Sequence, residues 1–339
     1  MNRSRHFSIT LSLLILSMTA ASGQNSLSGS KIPVILDTDA NNEIDDQHAM
    51  AYLFLNQEVF DVLGVTVNAT YNGGDIDNQY REAKRIVDLF DLDKSIPLLR
   101  GANSDFDVIR PTLEKHHFDG YEAVDLILEK ALEPRDQPLV LLAVGKLTNI
   151  ALAHVKNPEI ENKVRLVWLG SNYPKPGEYN LENDIQAMNY LLETGMPFEI
   201  VTVRYGDPTG TSAVSVTKRD AELHIAGKGP ISKRTITGRH GGQFNRFGDY
   251  AWNLYQQIDY YGEPPSRSLY DMAAVAIVKN PTWAEAKTLR GFTWKKKSGS
   301  STRRVKEKFS SGKILTKKRY YKIFSRHLRN QVNRTSRLL

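Results

Sequence analysis

From residue 32 onward, short runs of β-branched and other apolar residues alternate with longer stretches whose apolar positions recur at helical spacing. The short runs, at 32–36, 62–67, 96–99, 139–144, 164–169 and 198–203, predict strands. The longer stretches predict helices over about 46–55, 76–90, 121–132, 147–155 and 184–193. Beyond residue 210 the pattern turns more helical, with 244–260 and 269–278 the clearest segments. Strands and helices in this alternation build βαβ units, so the expected fold class is α/β, a mostly parallel central sheet flanked by helices. No internal repeat or low-complexity linker divides residues 31–290, which therefore read as a single domain. Ligands of such sheets collect at the carboxyl ends of the strands, where polar clusters carry meaning.

Composition changes the picture at both ends of the chain. The 339 residues hold 45 Lys plus Arg against 38 Asp plus Glu, with no cysteine and 40% apolar residues. A disulfide-framed miniprotein, a collagen and a disordered chain are thereby excluded. The net charge of +7 invites a nucleic-acid reading, but sixteen of the basic residues and a single acid, Glu307, fall in residues 291–339. That segment carries +15 and residues 1–290 carry −8, so an acidic body precedes a basic tail, and no nucleic-acid partner is expected for the body. The tail, with runs such as Lys295-Lys296-Lys297 and Lys317-Lys318-Arg319, reads either as a solvated arm that meets an anionic surface or as the product of a shifted reading frame. At the other end, Arg3 and Arg5 precede an apolar run from Ile9 to Ala20 and the small residues Ala21-Ser22-Gly23. Residues 1–23 are expected to be a secretory signal peptide, their apolar run too short to span a bilayer. The expected location is periplasmic or secreted, with no membrane span once the signal is removed, and a domain over residues 24–290.

The most informative segment is the end of the first strand. Asp37, Asp39, Glu43, Asp45 and Asp46 crowd into ten residues, and no Lys or Arg occurs from position 32 to 80. Carboxylates this close raise one another's pKa unless a cation neutralises them. Hard divalent ions take such oxygen ligands, and Ca²⁺ tolerates the irregular geometry of a strand end and helix start. The plainer reading, a solvated turn in which Asp45 or Asp46 caps the next helix, suits one Asp better than five carboxylates behind an apolar strand.

With Asp37-Thr38-Asp39 followed by Asp45-Asp46, this segment resembles the nucleoside hydrolase family of the inosine-uridine-preferring type, with a loop two residues longer than that family's usual spacing. Further resemblances follow in order: Gly145-Lys146-Leu147-Thr148-Asn149, Asn172 followed by Glu178-Tyr179-Asn180 and Asp184, and Leu269-Tyr270-Asp271-Met272. The resemblance covers roughly residues 31–290 and implies calcium-dependent hydrolysis of the N-glycosidic bond of nucleosides to free base and ribose. Carried over by position, it implies Ca²⁺ ligands at Asp39, Asp46, Asp271 and the backbone carbonyl of Val144, where the family has Thr. It implies ribose contacts from Asp45, Asn172, Glu178 and Asn180, together with an asparagine after the second strand, Asn72 or its competitor Asn68. Asp37 would ligate indirectly or orient the loop. The family often forms homodimers or homotetramers.

These residue types suit the chemistry. Breaking the bond builds positive charge on the ribose ring, which a carboxylate-rich pocket stabilises. A bound Ca²⁺ would align the ribose hydroxyls and acidify a water, whose proton Asp39 would accept as general base. One departure matters: Tyr270 stands where the resembled type has a His that protonates the leaving base, and a Tyr of ordinary pKa near 10 is a poorer acid. His240 and His117 are alternative donors, each equally readable as a surface histidine. Trp252, Tyr255 and Tyr260 are candidates to stack on the base, although such spacing also marks core. Two other readings stay open. The Asp37–Asp39 pair fits a haloacid-dehalogenase-like phosphohydrolase, and Tyr270 fits a nucleoside or sugar binder that has lost its acid.

Overall fold

A computed structural model describes residues 30–288 apart from residue 43; the expected signal peptide and the whole of the basic tail lie outside the described residues. Ten strands and ten helices are described: β1 (Ile32–Thr38), α1 (Ile44–Phe54), β2 (Phe60–Val67), α2 (Ile76–Leu89), β3 (Leu98–Arg100), α3 (Phe106–Ile109), α4 (Tyr121–Leu132), β4 (Leu139–Ala143), α5 (Thr148–Lys156) and β5 (Val164–Leu169), then α6 (Tyr179–Asn183), α7 (Ile185–Leu192), β6 (Phe198–Val201), β7 (Ser215–Thr217), α8 (Lys218–His224), β8 (Ile231–Thr237), β9 (Gln243–Arg246), α9 (Phe247–Tyr255), β10 (Ser266–Ser268) and α10 (Tyr270–Lys279). The first six strands form one parallel sheet in the order β3-β2-β1-β4-β5-β6. Strand direction and helices on both faces match the α/β expectation.

The sheet is buried on both sides because its strands are apolar at every position rather than at every second one. Val34 and Leu36 of β1, with Val140 and Leu142 of β4, face a core shared with α1, α2, α9 and α10. Ile35 of β1, with Leu139 and Leu141 of β4, faces the opposite core, shared with α4, α5 and α7. Successive side chains thus serve different cores, as the two-residue period of a strand requires.

After β6 the chain leaves the sheet. β7 pairs antiparallel with β10, and β8 with β9, as two separate ribbons. The helix expected over 244–260 is shorter than its pattern: residues 243–246 are drawn into β9 by pairing with β8, and α9 stops at Tyr255. Long-range pairing overrides a helical pattern that is ambiguous at its ends. Among the described residues no helix is long and apolar enough to cross a membrane.

Candidate active site

The strand order reverses direction between β1 and β4, so the carboxyl end of β1 opens beside a crevice. Asp37 lies opposite Thr66 of β2 and Ala143 of β4, and its carboxylate is consumed there. It accepts from Thr66 Oγ1 at 2.5 Å, Asn149 Nδ2 at 2.7 Å and Asn68 Nδ2 at 2.9 Å. Burial raises it to about 6 against those three hydrogen bonds. Asp37 therefore orients the loop. The Gly145–Asn149 segment is scaffold for the same loop: Asn149 ties Asp37 to the Val67 carbonyl, and the Lys146 amide donates to Asn68 Oδ1 at 3.2 Å.

Beyond Asp37 the chain turns to place Asp39, then Asp45 and Asp46 in the first turn of α1. Helix α10 packs along α1 and brings Asp271 in its own first turn to the same point. Two helix N-termini thus present carboxylates together, where their dipoles favour negative charge. Oxygens of Asp45, Asp46 and Asp271 all lie within 4.8 Å of one another, and all three residues are buried. Burial, and then the neighbouring carboxylates, push Asp46 and Asp271 well above the usual range. Burial and Asp39 raise Asp45 to about 7.

Asp39 lines the same cavity and is raised to about 7 by burial, opposed by the Thr70 hydroxyl that donates to it at 2.7 Å and reinforced by Glu178 and Asp37. Thr70 in turn accepts from the Tyr179 hydroxyl at 3.0 Å. Thr38 donates to Asp46, and Arg239 reaches the Asn41 carbonyl at 3.0 Å to hold the turn. A buried, oxygen-only group of carboxylates is the donor set a hard divalent cation takes, so this cluster could hold a metal ion.

The cavity has a volume of about 770 Å³. Asp39, Asp45, Asp46, Asn72, Val144, Glu178, Asn180, Tyr270 and Asp271 line it, which brings together every expected site residue except Asn172. The amide of Asn172 is spent within its loop: Oδ1 accepts from the Tyr205 amide at 2.9 Å and Nδ2 donates to the Pro176 carbonyl at 3.2 Å. Glu178 is 4% exposed, so it is no solvated loop acid. It caps α6, accepting from the amides of Ser171, Asn180 and Leu181, and burial raises it to about 7. Asn180 Nδ2 donates to the carbonyls of Val144 at 2.8 Å and Leu169 at 3.0 Å, tying the ends of β4 and β5. A carbonyl oxygen has two lone pairs, so Val144 retains one for a ligand. Of the two competing asparagines, Asn72 lines the cavity while Asn68 is committed to Asp37.

A sequence profile of the inosine-uridine preferring nucleoside hydrolases matches residues 34–326. The chain belongs to that family. The match runs through much of the segment set apart by charge as a basic tail. The non-specific ribonucleoside hydrolase RihC of Klebsiella pneumoniae is 28% identical over 49% of this chain and 59% of its own length. RihC of Salmonella agona is 27% identical over 48% and 58%. The chain thus spans somewhat under three-fifths of the curated relatives it matches. Among solved structures, a plant nucleoside hydrolase, PpNRh1, superposes with a TM-score of 0.63 at 18% identity, over 88% of this chain and 98% of its own. The inosine-uridine preferring nucleoside hydrolase from Bacillus anthracis does so with 0.61 at 18%, over 88% and 99%. At that identity the likeness is one of fold.

The lining of the cavity also holds residues that sequence reasoning missed. Tyr205, Tyr261 and Arg267 join Tyr270 in it. Tyr205 sits in an irregular loop and Arg267 in a three-residue strand, so neither carries a periodic signal. The aromatics that did carry one are core: Tyr255 is fully buried, Trp252 and Tyr260 pack against the same core, and none lines the cavity. His240 and His117 also lie off its lining; His240 accepts from Arg239 at 3.3 Å, and His117 stacks on Tyr121.

Proposed function

We propose that this chain hydrolyses the N-glycosidic bond of ribonucleosides, releasing free base and ribose, with Ca²⁺ as its metal. The observation that carries the reading is the buried group Asp45, Asp46 and Asp271 at the carboxyl end of the sheet, in a cavity also lined by Asp39, Glu178 and Asn180. Membership of the family supports it over a phosphohydrolase. Asp39, Asp46, Asp271 and the Val144 carbonyl would hold the ion. When bound, Ca²⁺ supplies an anchor for the sugar diol and a Lewis acid for the attacking water.

The chain's own residues supply the rest. Asp45, Glu178, Asn180 and Asn72 bind and orient the ribose. Asp39, held by Thr70, accepts the proton of the attacking water. The surrounding carboxylates stabilise the positive charge that grows on the sugar ring as the bond to the base lengthens, and in a buried site they do so strongly. The leader expected over residues 1–23 supports export to the periplasm or medium, a compartment that a chain without cysteine permits.

Ribose release from a panel of nucleosides, measured with Ca²⁺ and with EDTA, tests the reading. Chelator-sensitive release is expected, and Asp46→Ala should abolish it; unchanged release in that variant would overturn the metal assignment. Tyr270 in place of His favours a second reading, a nucleoside binder without turnover, which binding without ribose release would support.

A further inference from the structure

The lining of the cavity combines carboxylates, Asp39, Asp45, Asp46, Asp271 and Glu178, with the aromatic rings of Tyr179, Tyr205, Tyr261 and Tyr270. Asp207 lines it too, ion-paired with Lys175. Among the lining residues Arg267 is the one cation, and the titratable neighbour that acts on it is Tyr270 rather than a carboxylate. Arg267 is 7% exposed, and its guanidinium stands 5.4 Å from the centroid of the Tyr261 ring. The backbone fixes both partners: Tyr261 and Ser266 exchange two hydrogen bonds of 2.9 Å, and Arg267 pairs with Val216 of β7.

An arginine is out of place beside a developing sugar cation, which it would repel. At the opposite end of the substrate the same charge is an asset. A flat heteroaromatic base belongs among aromatic rings rather than carboxylates, so the ribose lies against the carboxylates and the base against the tyrosines beside Arg267.

Building on the nucleoside-hydrolysis reading, we propose that Arg267 is the electrophilic catalyst of base departure, its guanidinium donating to an oxygen or nitrogen acceptor on the leaving base. As the C1′–N bond breaks, its electron pair passes to the base, and Arg267 stabilises that charge without surrendering a proton. Water oxygen forms the new bond to C1′, one water proton passes to Asp39, and the released base anion takes its proton from solvent while Asp39 returns one to it. The assignment makes this a site for bases with an outward acceptor, and it supplies the activation that the absent family histidine would provide.

The test compares inosine and uridine with p-nitrophenyl β-D-ribofuranoside, whose phenolate departs without a donor, all in saturating Ca²⁺. In Arg267→Met, kcat/KM for the nucleosides should fall about 100-fold while that for the nitrophenyl riboside falls by less than about threefold. Arg267→Lys keeps the charge and should fall between, and the Ca²⁺-induced rise in melting temperature reports that each variant is folded. Equal losses on all three substrates in the folded variants, or no loss on any, would overturn the role. A native chain that cleaves the nitrophenyl riboside and nucleosides alike upholds the underlying reading; one that cleaves neither overturns that reading and this role with it.

Discussion

The rings of Tyr205 and Tyr270 meet edge to face, 5.8 Å between centroids and 86° between planes. The contact joins the loop after β6 to the first turn of α10, and so stands one residue from Asp271. Asn172 anchors the Tyr205 side of it through the Tyr205 backbone amide. Burial raises both phenols, so each remains a hydroxyl at neutral pH, able to donate a hydrogen bond and slow to give up a proton.

Tyr270→Phe keeps the ring contact and removes the donor. Steady-state kinetics on inosine should show kcat reduced by about 10- to 100-fold with little change in KM. Tyr270→Ala, which also removes the partner of Tyr205, should raise KM as well. Unchanged kcat in Tyr270→Phe would mean that the hydroxyl takes no part.

Stability without metal should fall as pH rises. Asp39 and Asp45 move from the ordinary 3.8 to about 7 in the folded state, and Glu178 from 4.5 to about 7. A carboxyl raised by folding favours the folded state fully below its unfolded pKa and loses that contribution as pH climbs through the folded value. In EDTA the protein should therefore melt at a higher temperature near about pH 5 than near about pH 8. Added Ca²⁺ should close the gap, because it binds the ionised carboxylates, with about 2.7 kcal/mol of stabilisation at a hundredfold excess over Kd. Differential scanning fluorimetry across pH, with and without Ca²⁺, reads both effects.

Asp271→Asn keeps the shape of the side chain and removes a carboxyl that ionises only at a cost beside Asp45 and Asp46. In EDTA at neutral pH the variant should melt above the parent, since buried like charges are relieved. The Ca²⁺-induced rise in melting temperature should vanish, and ribose release should fall by at least about 100-fold. A variant less stable than the parent in EDTA would argue that the trio is not electrostatically frustrated.

Gly145 is a glycine because of what it faces. A Cβ there would lie 2.7 Å from Asn68 Oδ1 and 3.0 Å from Asp39 Oδ1. The closest contact is with Asn68, whose amide is held by Asp37 and Lys146, so that brace of the strand end must shift and crowd Asp39 as it does. Gly145→Ala should cost about 100-fold in kcat/KM for inosine through misplacement of Asp39. Circular dichroism should show the fold retained.

Asn180→Ala strands two carbonyls at the ends of β4 and β5 that its amide now pairs. Urea unfolding should report a loss of about 1–3 kcal/mol. The KM for inosine should rise in the same variant, because the Val144 carbonyl loses the partner that fixes it.

Much of this was legible in the chain. The six sheet strands and the longer helices through residue 193 follow from apolar periodicity, because a strand buried on both faces and an amphipathic helix leave different patterns; the four- and five-residue helices α3 and α6 are too short to leave one. Asp39, Asp45 and Asp46 were legible as a cluster because they are neighbours in sequence and no cation separates them. The small ribbons after β6 were not, since β7 and β10 have three residues each and are held by partners distant in sequence. The aromatic spacing of Trp252 and Tyr255 was visible and pointed to core and stacking alike; packing of α9 against α1 places Tyr255 in the core, with Trp252 packed against it.

The sequence by itself determined the α/β alternation, the acidic strand end and the division of charge between body and tail, all of which are properties of neighbouring residues. Only the tertiary structure decided that Asp271 joins Asp45 and Asp46, that Asn72 rather than Asn68 reaches the cavity, and that Tyr205, Tyr261 and Arg267 line it too. Those residues come from separate loops and helix starts. Their meeting depends on how α1, α10 and the β7–β10 ribbon pack, and packing between distant segments leaves no local pattern to read.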